Sequence, residues 1–258
     1  MPYLERDGVK LYYEETGAGE PTMLLVHGWT CNHTHWAAQV AHFSKRHRVV
    51  TVDLRGHGLS DAPQQEYTTE GFADDVAWVI QQLGLDRPIV CGHSMGGFVT
   101  VMLGKNHPES LRARIIVDSP VVTSPEFKRR AVPLIERWKQ PDYLPEVEEF
   151  IDSGMFTELD DPARRAEIVA QMLETPQHVL TSAMWHNAHT DHEAATAANT
   201  GPLLAIYAGL FPVNLAEVRA LVPGAQVGQS VGSGHFNMVE VPEQVNAMIE
   251  RFLARCVT

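Results

Sequence analysis

Short runs of apolar, mostly β-branched residues recur along this chain, and they constrain its fold more than any other feature. They are Met23 to Val26, Arg48 to Val52, Pro88 to Cys91, Arg114 to Val117 and Leu203 to Tyr207. None alternates between apolar and polar positions, so neither face of such a strand is expected to meet water. Helical patterns separate them, for example from Phe72 to Leu83. Strand alternating with helix predicts an α/β fold with a doubly wound, mostly parallel sheet. A further segment, Val9 to Thr16, reads as an exposed strand ended by Gly17 and Gly19.

The alternation stops between residues 122 and 199. Trp138, Phe150, Met155, Phe156, Met172, Met184 and Trp185 lie there among charged residues at helical intervals, punctuated by Pro125, Pro133, Pro141, Pro145, Pro162 and Pro176. This stretch is expected to form a helical cap, 122–199, inserted into a core made of residues 1–121 and 200–258. With 258 residues, 44% of them hydrophobic, the chain suits one well-buried domain with an insertion.

Gly92-His93-Ser94-Met95-Gly96-Gly97 follows one of the apolar runs and precedes Phe98-Val99-Thr100-Val101-Met102-Leu103, which can continue as a helix. A serine on a tight strand-to-helix turn is lifted clear of the sheet, and glycines on either side let the backbone approach without Cβ clashes. The N–H of Met95 then points at the oxygen that would take up charge during attack on a carbonyl. Ser94 is the candidate nucleophile.

Here the chain resembles the α/β-hydrolase superfamily over essentially its whole length. The resemblance rests on His27-Gly28-Trp29, on Asp53-Leu54-Arg55-Gly56-His57-Gly58-Leu59-Ser60-Asp61, on the Ser94 motif and on Gly232-Ser233-Gly234-His235-Phe236, in that order. It implies that the N–H of Trp29 completes an oxyanion hole with that of Met95, and that His27, Gly28 and the Trp29 side chain lie near the acyl pocket. The Asp53 to Asp61 stretch is expected to hold loops, with an internal Arg–Asp pair.

His235 is the candidate general base, since it follows the last apolar run and precedes the C-terminal helix starting at Pro242. The order nucleophile, acid, base suits this fold, and imidazole accepts and returns protons near neutral pH. The acid departs from the usual pattern. Relatives place an aspartate after the strand that here ends at Tyr207, but Phe211 occupies that slot. Asp118, at the end of the preceding strand, is the expected acid, with Glu217 as the alternative. Trp138, Met155, Phe156, Met184, Trp185 and Phe211 are the expected remaining pocket residues.

Other signals exclude rather than assign. The formal charge of −12 disfavours nucleic acid as a partner. Cys31, Cys91 and Cys256 are too scattered for a disulfide framework or a zinc site and read as packing residues. No signal peptide or membrane span is visible, so a cytoplasmic location is expected. His186, His189 and His192, with Asp191, recur at three-residue spacing but read as surface histidines, and neither a metal nor a cofactor is expected. His33 and His35 flank the Gly28-Trp29 loop and could touch substrate.

The expected activity is hydrolysis of a small-to-medium, largely apolar carboxylic ester or lactone through an acyl-enzyme. Cofactor-independent dioxygenation of N-heteroaromatic, quinolone-type rings is the alternative, followed by carbon–carbon bond hydrolysis or a non-enzymatic binding role. The small-molecule substrate is the one expected partner, and oligomeric state is left open.

Overall fold

A computed structural model describes residues 2–121, 125–210 and 215–256. The chain opens with a hairpin of β1 (Tyr3–Arg6) and β2 (Val9–Thr16), closed by Asp7 and Gly8 at φ of 54° and 79°. Positive φ at both central residues matches the twist that a two-residue hairpin turn requires. The core continues through β3 (Met23–Val26), α1 (Ala37–Phe43), β4 (Val49–Val52), α2 (Thr69–Gln82), β5 (Ile89–His93), α3 (Met95–Asn106) and β6 (Ala113–Val117). Among the described residues five helices follow: α4 (Pro125–Trp138), α5 (Leu144–Met155), α6 (Pro162–Leu173), α7 (Gln177–His189) and α8 (His192–Ala197). The core resumes with β7 (Leu203–Tyr207), α9 (Leu215–Leu221), β8 (Gln226–Gln229), α10 (Asn237–Glu240) and α11 (Pro242–Cys256).

The eight strands of the described residues form one sheet in the order β1-β2-β4-β3-β5-β6-β7-β8. β2 runs antiparallel to β1 and β4, while the six strands from β4 to β8 are parallel. Every residue of β3, β4, β5, β6 and β7 is buried, as the lack of apolar–polar alternation in these strands predicts. The two edge strands, β1 and β8, escape the sequence reading. Gln226-Val227-Gly228-Gln229 carries one branched residue and is held by backbone pairing to β7, so no hydrophobic pattern marks it.

Between β6 and β7 the described residues contain helices and no strand. Pro145 and Pro162 sit in the first turns of α5 and α6, where a missing N–H is harmless, and Pro176 caps α7. Pro133 lies inside α4. The joint between these helices and the core is aromatic. Trp29 stacks on Trp138 at 5.7 Å, Phe150 packs edge-on to both, and the Trp29 indole N–H donates to the Leu180 carbonyl at 2.9 Å. Among the described residues no helix is long and apolar enough to cross a membrane.

Candidate active site

The site sits at the carboxyl ends of the parallel strands, where open α/β sheets present a crevice. Three residues that leave adjacent strands adopt positive φ: Thr30 beyond β3 (56°), Ser94 after β5 (53°) and Asp118 after β6 (46°). Such conformations are strained for residues with a Cβ and persist only where the surroundings hold them. Here the sheet does the holding. His93 pairs with Val117 in register, the Ser94 N–H donates to the Val117 carbonyl at 2.9 Å, and the Asp118 N–H donates to that of Ile206 at 2.7 Å. The Ser119 hydroxyl donates to the Ser94 carbonyl at 2.8 Å.

Ser94, at φ 53° and ψ −119°, caps the start of α3 and is partly exposed while its neighbours are buried. Glycines make the bend possible. A Cβ on Gly92 would lie 2.0 Å from the Gly96 carbonyl oxygen, and one on Gly96 would lie 2.3 Å from that of Val26. Both contacts are with backbone, which cannot yield. We therefore expect Gly92→Ala to lower stability by about 3 kcal/mol or more, as overpacking at rigid sites does; a thermal melt within a degree or two of wild type contradicts this.

Gly28 lies against the serine, since a Cβ there would stand 3.2 Å from the Ser94 Cβ. The Cys31 N–H closes a turn onto the Gly28 carbonyl at 3.2 Å, which leaves the Trp29 N–H outside that turn's own hydrogen bond. Met95 is the first residue of α3, so its N–H is among those a helix cannot satisfy internally.

Among the described residues, three hydrogen bonds hold His235. Its Nδ1 donates to Asp118 Oδ2 at 2.6 Å, with both side chains buried. Its carbonyl accepts from His93 Nε2 at 2.9 Å, and the two imidazole rings lie 4.7 Å apart. Its N–H donates to the Met155 carbonyl at 2.8 Å. Because His93 immediately precedes Ser94, these bonds bring His235 to the serine's strand end. The other carboxylate oxygen, Asp118 Oδ1, accepts the Ala208 N–H at 2.7 Å. Burial, followed by the adjacent charge of His235, pushes the His93 pKa well below its ordinary value, so His93 is a neutral brace.

Several expected pocket residues have other places. His27 is fully buried, its Nδ1 donating to the Gly28 carbonyl at 2.8 Å and its Nε2 accepting from the Leu54 N–H at 3.0 Å. With both nitrogens on backbone it braces the loop and has none left for substrate. Trp185 is half-buried against the hydrophobic core, stacked on His189 at 4.2 Å with Lys139 over its ring at 5.1 Å. Trp138 is buried against Trp29, Phe156 is stacked on Phe236 at 5.3 Å, and Met184 is buried in α7. Phe211 lies outside the described residues. Glu217 is exposed on α9.

Arg55 pairs with Asp75 on α2 rather than within its own loop, a correction to the expected internal pair. Asp53 instead takes the His33 ring and the backbone N–H groups of His33 and Leu59. His192 is not a surface residue: it is fully buried and stacked on Phe98 at 3.7 Å. His186 pairs with Glu66 and His189 stacks on Trp185, so the three histidines have three separate partners. Cys31 and Cys91 are buried, and burial raises both thiol pKa values, that of Cys31 to about 12. Two surface clefts, one around Arg6, Arg55 and Asp75 and one around His42 and Glu250, touch none of the candidate residues.

Residues 21–149 match the family described as alpha/beta hydrolase fold, which is half of the chain. The chain belongs to the α/β-hydrolase family. A relative from Bacillus subtilis (strain 168), the AB hydrolase superfamily protein YisY, is 29% identical over 258 residues, covering 95% of each chain. Among solved structures, a thermophilic esterase from Thermogutta terrifontis superposes with a TM-score of 0.86 at 27% identity, covering 100% of this chain and 98% of that one. Est816, described as an N-acyl homoserine lactone degrading enzyme, superposes with a TM-score of 0.81 at 25% identity, covering 97% of this chain and 100% of that one.

Proposed function

We propose that this α/β-hydrolase cleaves a small-to-medium, largely apolar carboxylic ester or lactone through an acyl-enzyme. Ser94 is the nucleophile, His235 the base and Asp118 the residue that orients it. The observation that carries the reading is the 2.6 Å bond from His235 Nδ1 to Asp118, one strand over from a serine held in a strained turn. An imidazole donating through Nδ1 presents Nε2 as a lone pair, which is the form that can take a hydroxyl proton.

In this reading the Ser94 hydroxyl oxygen attacks the substrate carbonyl carbon while His235 Nε2 takes its proton. Asp118 stabilises the resulting imidazolium, and the N–H groups of Trp29 and Met95 hold the oxyanion. Collapse of the tetrahedral intermediate breaks the bond to the alkoxide, which leaves with the proton from His235. Water, deprotonated by the same imidazole, then releases the acid and restores the serine. The helices between β6 and β7 act as a cap, and the aromatic side chains at their joint with the core favour apolar acyl groups. The likeness to an esterase and to a lactone-degrading enzyme supports ester or lactone over other substrates.

The test is covalent labelling. A fluorophosphonate should modify wild type at Ser94, and both labelling and p-nitrophenyl butyrate hydrolysis should fall by about 10³-fold or more in Ser94→Ala, as loss of a triad nucleophile does. Hydrolysis that survives in Ser94→Ala, or oxygen uptake with a hydroxyquinolone and no ester cleavage, would sink the proposal.

A further inference from the structure

The base is held from both sides. Asp118 and His93 hold it from the sheet, but two consecutive backbone N–H groups at the base itself reach into the inserted helices. The His235 N–H donates to the Met155 carbonyl at 2.8 Å, and the Gly234 N–H donates to the Asp160 carboxylate at 2.9 Å and 3.2 Å. Asp160 is only 4% exposed. Its remaining partners are the Thr157 N–H at 2.6 Å and the Thr157 hydroxyl at 3.2 Å. A buried carboxylate needs donors, and here the backbone of the His235 loop is one of them.

The same junction is tied in the opposite sense a few residues on. Glu240, from the core, accepts the Asp161 N–H at 3.2 Å and pairs with Arg164 at 2.7 Å. Phe156, next to Met155, stacks on Phe236, next to His235. The approach is too close for any side chain on residue 234. A Cβ there would stand 2.6 Å from Asp160 Oδ2 and 2.7 Å from the Met155 carbonyl oxygen. The inserted segment therefore reaches the backbone of the base itself, not merely the surface beside it.

We propose that Asp160 is a positioning residue for His235, and that the segment Met155–Asp160 makes the readiness of the base depend on the seating of the inserted helices. The proposal rests on the reading of His235 as the general base. Proton transfer from a serine hydroxyl needs the imidazole within hydrogen-bond reach, and a misplacement of about 1 Å can lower turnover by about a hundredfold. Asp118 fixes the direction of the ring, while Asp160 and the Met155 carbonyl fix the height of the backbone that carries it.

The experiment compares wild type, Asp160→Ala and Asp160→Asn by fluorophosphonate labelling at Ser94, by kcat and KM for p-nitrophenyl butyrate, and by thermal melting. Asp160→Ala should stay folded at 25 °C, label about ten- to a hundredfold more slowly and lose a similar factor in kcat, with KM within about twofold. Asp160→Asn should recover part of that loss, because its amide oxygen still accepts one N–H while its nitrogen cannot. A purely structural role would lower the melting temperature and leave kcat alone, and that result overturns the proposal. If Asp160→Ala does not fold, Asp160→Asn decides: wild-type kcat and labelling in that variant overturn it equally. Failure of wild type itself to label at Ser94 would instead overturn the serine-hydrolase reading.

Discussion

Asp118→Asn is expected to lower kcat by about 10³- to 10⁴-fold while leaving the fold and the melting temperature close to wild type. The reason is specific to the hydrogen bonds around the carboxylate. Asp118 Oδ1 accepts the Ala208 N–H and Oδ2 accepts the proton of His235 Nδ1. An asparagine at this position keeps its amide oxygen on Ala208, because that backbone N–H can only donate. Its NH2 group then faces His235 Nδ1, which must accept, so the imidazole proton moves to Nε2. The ring stays in place but has lost the lone pair that would deprotonate Ser94. Steady-state kinetics with an activated ester, alongside a melt, checks this. Turnover within about tenfold of wild type would remove Asp118 from its assigned role and reopen the question of the acid.

The second large effect is on stability against acid. Five imidazoles are kept neutral by burial: His27, with its pKa lowered to about 3, His35, His57 and His192, each lowered to about 4, and His93, also lowered. In the unfolded chain a histidine titrates near ~6.5. Below that pH the unfolded form binds protons the folded form refuses, so the equilibrium moves toward unfolding as pH falls. Each such group weakens the fold by up to about 1.4 kcal/mol per pH unit between ~6.5 and its folded value. Five together approach the whole stability of a typical domain, about 5–15 kcal/mol.

His33 has the opposite sign. Burial opposes its charge, but the hydrogen bond and charge of Asp53 outweigh that and raise its pKa. Its contribution is complete below ~6.5 and fades only as pH rises through the folded value. It therefore does not offset the loss on the acid side. The expected result is a melting temperature that drops by tens of degrees from pH 7 to pH 5, well before carboxylates titrate. A melting temperature constant over that interval would show that these imidazoles are not held neutral.

Much of the core was legible because its signal is local. A run of four or five mainly apolar residues with no alternation, too short for a helix and bounded by turn residues, reads as a strand covered on both faces, and β3 to β7 follow that pattern. β1 and β8 are edge strands held by backbone pairing, and backbone pairing leaves no mark in side-chain pattern. The partners of Arg55, His27 and His192 were equally invisible. Each meets a partner well separated in sequence, Asp75 for Arg55, the Leu54 N–H for His27 and the Phe98 ring for His192, and composition cannot say which face of a loop turns inward. Nothing around Asp118 distinguishes it from any aspartate at a strand end. Only the Phe211 at the usual slot points to it, and its bond to His235 spans 117 positions.

By itself the sequence determined the alternation of strand and helix, the break in it after β6, and the sharp glycine-flanked bend that carries Ser94. These follow from hydrophobic period and from the absence of a Cβ at Gly92 and Gly96, properties written into neighbouring residues. Only the tertiary structure decided which carboxylate meets His235, and that the backbone of this histidine hangs partly from Met155 and Asp160. Those contacts depend on the parallel register of β5, β6 and β7 and on where five inserted helices settle. Both arise from packing summed over the whole molecule rather than from any one segment.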